Sequence, residues 1–139
     1  MRGRTFALGT IAASLAGLSV SLYLLFPEQV ASSPYCSINQ LLSCGPVILG
    51  EHSRFLGVPV AAYGVAWFAV SSVLSLASLR SPSLMRYLVY WGALGLMGVA
   101  YLTYLEFFVI GSFCVFCTVA HLMGALVFGL ALLGRASSE

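Results

Sequence analysis

Cys114 and Cys117 stand three residues apart in the stretch F-C-V-F-C-T-V-A-H, which runs from Phe113 to His121 and opens a long apolar run. If that run is a helix, both sulfurs lie on one face within its first turn. A helix N-terminus stabilises negative charge, so Cys114 stands where a thiolate is favoured. A dithiol so placed at the edge of a membrane can cycle with a disulfide. His121 follows Cys117 by four residues, on the same face and about one turn deeper. It can donate a hydrogen bond to a carbonyl oxygen or supply a proton near Cys117. A histidine bonded to a neighbouring helix's backbone is the competing reading.

The other two cysteines, Cys36 and Cys44, are eight residues apart in a loop-like segment. Two pairs of unlike geometry on one membrane face suggest a relay by thiol–disulfide exchange. The loop pair would meet a water-soluble partner, and the helix pair would hand electrons to something dissolved in lipid. Two fixed structural bridges account easily for the loop pair, but less well for C-x-x-C at a helix start. The spacings argue against a metal. Zinc sites pair short C-x2-C steps, and c-type haem needs His directly after the second cysteine, where this chain has Thr118.

These groups must be positioned by membrane helices. The 139 residues are 60% hydrophobic and 7% charged, against about 25% charged in a soluble domain. So few charges cannot cover a water-facing surface, and no basic stripe suggests nucleic acid. The expected fold class is all-α integral membrane, one domain over residues 1–139, with four transmembrane helices at about 6–26, 58–79, 87–110 and 113–133. A cleaved signal peptide is the rival for the first, but its apolar stretch is longer than such peptides carry. Arg2, Arg4, Arg80, Arg86 and Arg135 fall on one side of this topology and only Arg54 on the other. The positive-inside rule then places both termini in the cytoplasm and residues 27–57 outside. All four cysteines are on or near that outward side.

In the outward loop, Val47–Leu56 mixes apolar and charged residues and reads as a short amphipathic capping segment on the membrane surface. Gly57-Val58-Pro59 turns into the second helix, with Pro59 tolerated in its first turn. Tyr63, Trp67, Phe107 and Phe108 sit toward the outward end, as does Phe113 beside the cysteines. They either pack as core and interface aromatics or line a pocket near Cys117. Glu106 lies within the third span and is either functional or reaches the interface.

At this point the residues carry a resemblance. A four-helix chain with a paired-cysteine loop after the first helix and C-x-x-C opening the last resembles the vitamin K epoxide reductase family. The most specific part is Y-L-T-Y-L-E-F-F-V-I-G-S-F-C-V-F-C, Tyr101–Cys117, and S-R-F-L-G-V-P-V-A-A-Y-G, Ser53–Gly64, is similar to bacterial and archaeal members. The resemblance implies that Cys114 and Cys117 are the membrane-embedded redox pair, with Cys117 facing the quinone. Cys44 matches the loop cysteine that exchanges with Cys114, and Cys36 its partner, which helps accept electrons from a thioredoxin-like protein. That protein is often fused at the C-terminus in bacterial members; this chain ends at Glu139, so a separate partner is expected.

The chain departs from the family at three places. Gly50 stands where a Ser or Thr is usual, with His52 and Ser53 nearby; Val60 appears at the position of the quinone-binding Asn of animal members; and His121 stands where they have Tyr. These departures weigh against epoxide reduction and leave quinone reduction. The implied activity is a quinone-dependent thiol oxidoreductase that makes disulfides. Its substrate would be a membrane quinone of menaquinone, ubiquinone or vitamin K type, with His121, Tyr63, Trp67, Phe107 and Phe113 about it and no metal. The rival is a non-enzymatic four-helix scaffold with structural disulfides.

Overall fold

The computed structural model describes residues 2–26, 54–55, 57–111 and 115–138. Helix α1 spans Arg2–Leu24, α2 Val60–Ser78, α3 Met85–Tyr104 and α4 Val115–Ser138. Four spans, Gly3–Leu24, Val60–Ser78, Pro82–Val109 and Phe116–Ala136, are long and apolar enough to cross a membrane. Together they form a four-helix membrane bundle. Its perimeter carries exposed Leu8, Leu15, Val73, Leu76, Leu94, Met97, Leu122 and Leu126. That surface suits hydrocarbon, which no water-facing bundle would tolerate.

Small residues set the helix spacing. A side chain at Gly17 would run into the ring of Phe68, and one at Gly95 into the ring of Trp67. Those contacts join α1 to α2 and α2 to α3, because a missing Cβ lets two backbones approach closely. Gly9 of α1 lies against Leu130 of α4, and fourteen residues on, Tyr23 meets Phe116, ring centroids 5.2 Å apart. One antiparallel register therefore holds along the whole α1–α4 contact.

Helices α1 and α2 both bury hydroxyls. Thr10, Ser14 and Ser21 of α1 and Ser71, Ser72, Ser75 and Ser78 of α2 are all buried. Most bond within their own helix: Thr10 Oγ1 donates to the Phe6 carbonyl at 2.7 Å, Ser72 Oγ to Phe68 at 2.9 Å and Ser75 Oγ to Ser71 at 2.7 Å. Helices α2 and α3 are stapled by tryptophans. Trp67 Nε1 donates to the Trp91 carbonyl at 3.2 Å, and Trp91 Nε1 donates to the Trp67 carbonyl at 3.1 Å. The two rings stack at 6.2 Å.

Several boundaries differ from those expected. Helix α1 starts at Arg2, ahead of its apolar stretch. Val58 and Pro59 are not helical: they pair antiparallel with Phe55 and Arg54 in a two-residue ladder, β1 (Arg54–Phe55) and β2 (Val58–Pro59), turned through Gly57 at φ 81. Pro59, at φ −56 and ψ 138, is the N-cap of α2. Proline's fixed φ suits either place, but its ψ here is extended, so the helix begins one residue later. Arg54–Phe55 are thus extended, and the rest of the expected capping segment lies outside the described residues.

The C-terminal end of α3 also departs from a plain α-helix. Leu105–Ile110 form a π-helical turn, closed by the Gly111 N–H donating to the Glu106 carbonyl at 2.9 Å. Gly111 sits in the left-handed region at φ 74, which glycine adopts without the Cβ penalty.

Candidate redox site at the start of helix α4

Helix α4 turns one stripe inward. Cys117, Ala120, His121, Gly124, Val127, Phe128, Ala131 and Gly134 are buried or half-buried, while Thr118, Val119, Leu122 and Leu126 are exposed. Steps of three and four along a helix hold one face. Cys117 and His121 therefore share the face turned to the bundle, one turn apart. Phe116, beside Cys117, packs edge-on against Tyr23 at the end of α1. Neither aromatic was singled out by its type in the sequence; the α1–α4 register is what pairs them.

The stripe on α3 reaches the same region. Met85, Leu88, Val89 and Gly92 are buried, Leu96, Val99 and Thr103 half-buried, and Leu105 and Glu106 buried. Glu106 is only 4% exposed. The sequence left open whether this carboxyl reaches the interface; the structure turns it inward. The signal that finds it is the period. Three- and four-residue steps from Val89 through Gly92, Leu96, Val99 and Thr103 arrive at Glu106.

The aromatics expected near the cysteines take different positions. Trp67 is held by the staple to Trp91, with its ring edge against Gly95 and within 3.8 Å of a Cβ placed on Gly124. It packs one turn deeper on α4 than His121. Tyr63 and Phe107 lie on exposed faces of α2 and the π-turn, and Phe107 and Phe108 adjoin at 6.3 Å. Cys36, Cys44, Phe113 and Cys114 lie outside the described residues. Among the described residues, no group of three or more His, Cys, Asp or Glu side chains is placed to hold a metal ion.

The resemblance implied a four-helix bundle with C-x-x-C opening the last helix, and the comparison of the chain with known families bears on it directly. Residues 8–132 match the Vitamin K epoxide reductase family. This chain belongs to that family. No individual curated protein matches it. Family membership makes the protein a membrane oxidoreductase acting on thiols, in a family that is linked to quinones in general. The four apolar spans make it a multi-pass membrane protein in contact with lipid.

Proposed function

We propose that the protein makes disulfides in a thioredoxin-like partner and passes the electrons through its two cysteine pairs to a membrane quinone. The observation that carries this reading is the inward stripe that puts Cys117 and His121 on one face of α4. In the proposed sequence, a reduced partner exchanges with the loop pair Cys36/Cys44. Cys44 exchanges with Cys114, leaving Cys114 and Cys117 as a dithiol. Oxidation of that dithiol to the disulfide releases two electrons and two protons, which together convert quinone to quinol. His121 donates a hydrogen bond to a quinone oxygen as negative charge develops there. Tyr63, Phe107, Phe113 and the edge of Trp67 are proposed to flank the ring; the exposure of Tyr63 and Phe107 suits a substrate that arrives through lipid.

The test is direct. Purified full-length protein in lipid nanodiscs, given a small dithiol donor, should reduce a soluble menaquinone analogue. Thiol trapping should show Cys114 and Cys117 cycling between dithiol and disulfide as quinone is supplied and withheld. A scaffold with structural bridges would show cysteines that stay oxidised and no quinol.

The arginine distribution further favours cytoplasmic termini and a redox site on the outward face. Impermeant thiol reagents added to intact, reduced cells should then label Cys36 or Cys44. Labelling that appears only after lysis reverses the orientation.

A further inference from the structure

We propose that Glu106 is the proton carrier between Cys117 and the quinone. The inference rests on the quinone-reducing reading above and adds a residue that reading does not use. Three observations support it. First, Glu106 is buried inside a membrane-spanning segment, where an ionisable side chain is costly and is a functional candidate by default. Second, it sits in a π-helical turn, an irregularity that occurs frequently at functional sites. The Gly111 N–H donates to the Glu106 carbonyl, which fixes the backbone that carries the carboxyl.

Third, the antiparallel register between α3 and α4 brings it to the cysteine. A Cβ on Gly92 would lie 3.1 Å from the Phe128 Cα, and one on Gly124 3.8 Å from Val99 Cγ2. From Val99, seven residues along α3 lead to Glu106. From Gly124, seven residues back along α4 lead to Cys117. Both steps are about two turns, so Glu106 stands about level with Cys117. Both residues also lie on the inward stripes of their own helices.

The chemistry needs such a group. A thiol must become a thiolate before it gives up electrons readily, and the quinone must gain a proton for each electron to become quinol. As a carboxylate, Glu106 takes the proton of the Cys117 thiol and leaves the thiolate. The two sulfurs then bond, the dithiol loses two electrons, and the quinone gains them. As a carboxylic acid, Glu106 delivers its proton to a quinone oxygen and returns to carboxylate. The proton of the second thiol reaches the other oxygen by way of His121. Two protons and two electrons leave the dithiol and two of each arrive on the quinone.

The experiment compares native protein, Glu106→Gln and Glu106→Asp, each full-length in nanodiscs with a small dithiol and the menaquinone analogue. Glu106→Gln keeps size and hydrogen bonding but cannot carry a proton. Its kcat should fall by about a hundredfold or more, in the range of a lost general acid–base, while KM for the quinone moves less than about threefold. Glu106→Asp, which keeps a carboxyl, should recover part of that loss. A packing role would shift KM and kcat together and would not distinguish Asp from Gln in Asp's favour. In Glu106→Asp the pH dependence of kcat should move relative to the native protein's, because the carboxyl that carries the proton then differs in reach and acidity. That measurement stands even if Glu106→Gln fails to fold. Native turnover in Glu106→Gln, or a kcat–pH profile in Glu106→Asp identical with the native one, overturns the proposal. A native protein that forms no quinol at all overturns the quinone reading itself, and this proposal with it.

Discussion

Cys117→Ala should abolish quinone reduction whatever the donor, while Cys36→Ala should abolish only the reaction driven by a protein partner. The contrast follows from the order of exchange proposed above. Cys117 occupies the inward face of α4, as His121 does, and the proposed order makes it the last sulfur before the quinone. Without it Cys114 can still form the mixed disulfide with Cys44 that the relay proposes, but the membrane pair cannot close its own disulfide, so no pair of electrons passes to the quinone. A small dithiol needs no docking by the loop pair and can reduce the membrane pair directly, which spares Cys36→Ala in that assay. The measurement is quinol formation with each donor in turn. Full activity of Cys117→Ala with either donor would end the relay.

His121→Phe should lose about a hundredfold or more in turnover, and His121→Tyr should keep much of it. Reducing a quinone builds negative charge on its oxygens, and an apolar site has little water to solvate that charge. One donor aimed at such an oxygen is worth roughly 3 kcal/mol, about what removing a single oxyanion-hole donor costs. Phenylalanine approximates the ring size without the donor; tyrosine puts a hydroxyl donor back. Thr118 and Val119, on the exposed side of the same turn, serve as controls for general disturbance of the helix. The Cys114–Cys117 disulfide should still form in His121→Phe, which separates a failure of quinone chemistry from a failure to fold. If His121→Phe reduces quinone at the native rate, the histidine packs and the donor lies elsewhere, with His52 and Ser53 the next to change.

Much of the architecture was legible because membrane spans are written in composition. Long uncharged runs must become helices in hydrocarbon, where every backbone group needs an internal partner. The family followed from the cysteine order and from Tyr101–Cys117, and the match over residues 8–132 agrees. What stayed hidden depended on which face each residue turned. Glu106 stands close to the end of an apolar run, and position alone suggested an escape to the interface. Only the inward stripe through Val89, Gly92, Leu96, Val99 and Thr103 shows that it points the other way. Trp67 was equally ambiguous by type. Its indole is half of a reciprocal pair with Trp91, a residue 24 positions away whose partner no local pattern reveals. The start of α2 was misplaced by two residues because Val58 continues the apolar run, and only the pairing with Phe55 holds it out of the helix.

The buried hydroxyls of α1 and α2 bear on how the chain is made. Thr10, Ser71, Ser72, Ser75 and Ser78 each donate their hydroxyl to a carbonyl of their own helix. A helix leaving the translocation machinery with these residues on its surface already has them bonded, so hydrocarbon imposes little penalty before a neighbour arrives. The indoles of Trp67 and Trp91 are different, since each N–H finds its carbonyl only on the other helix. The five hydroxyls therefore put little penalty on α1 or α2 entering the bilayer alone, while the buried Ser14 hydroxyl of α1 has no bonded partner among the described residues. The second and third gain directional bonds only on meeting, so their pairing adds a term that membrane insertion of either helix alone lacks.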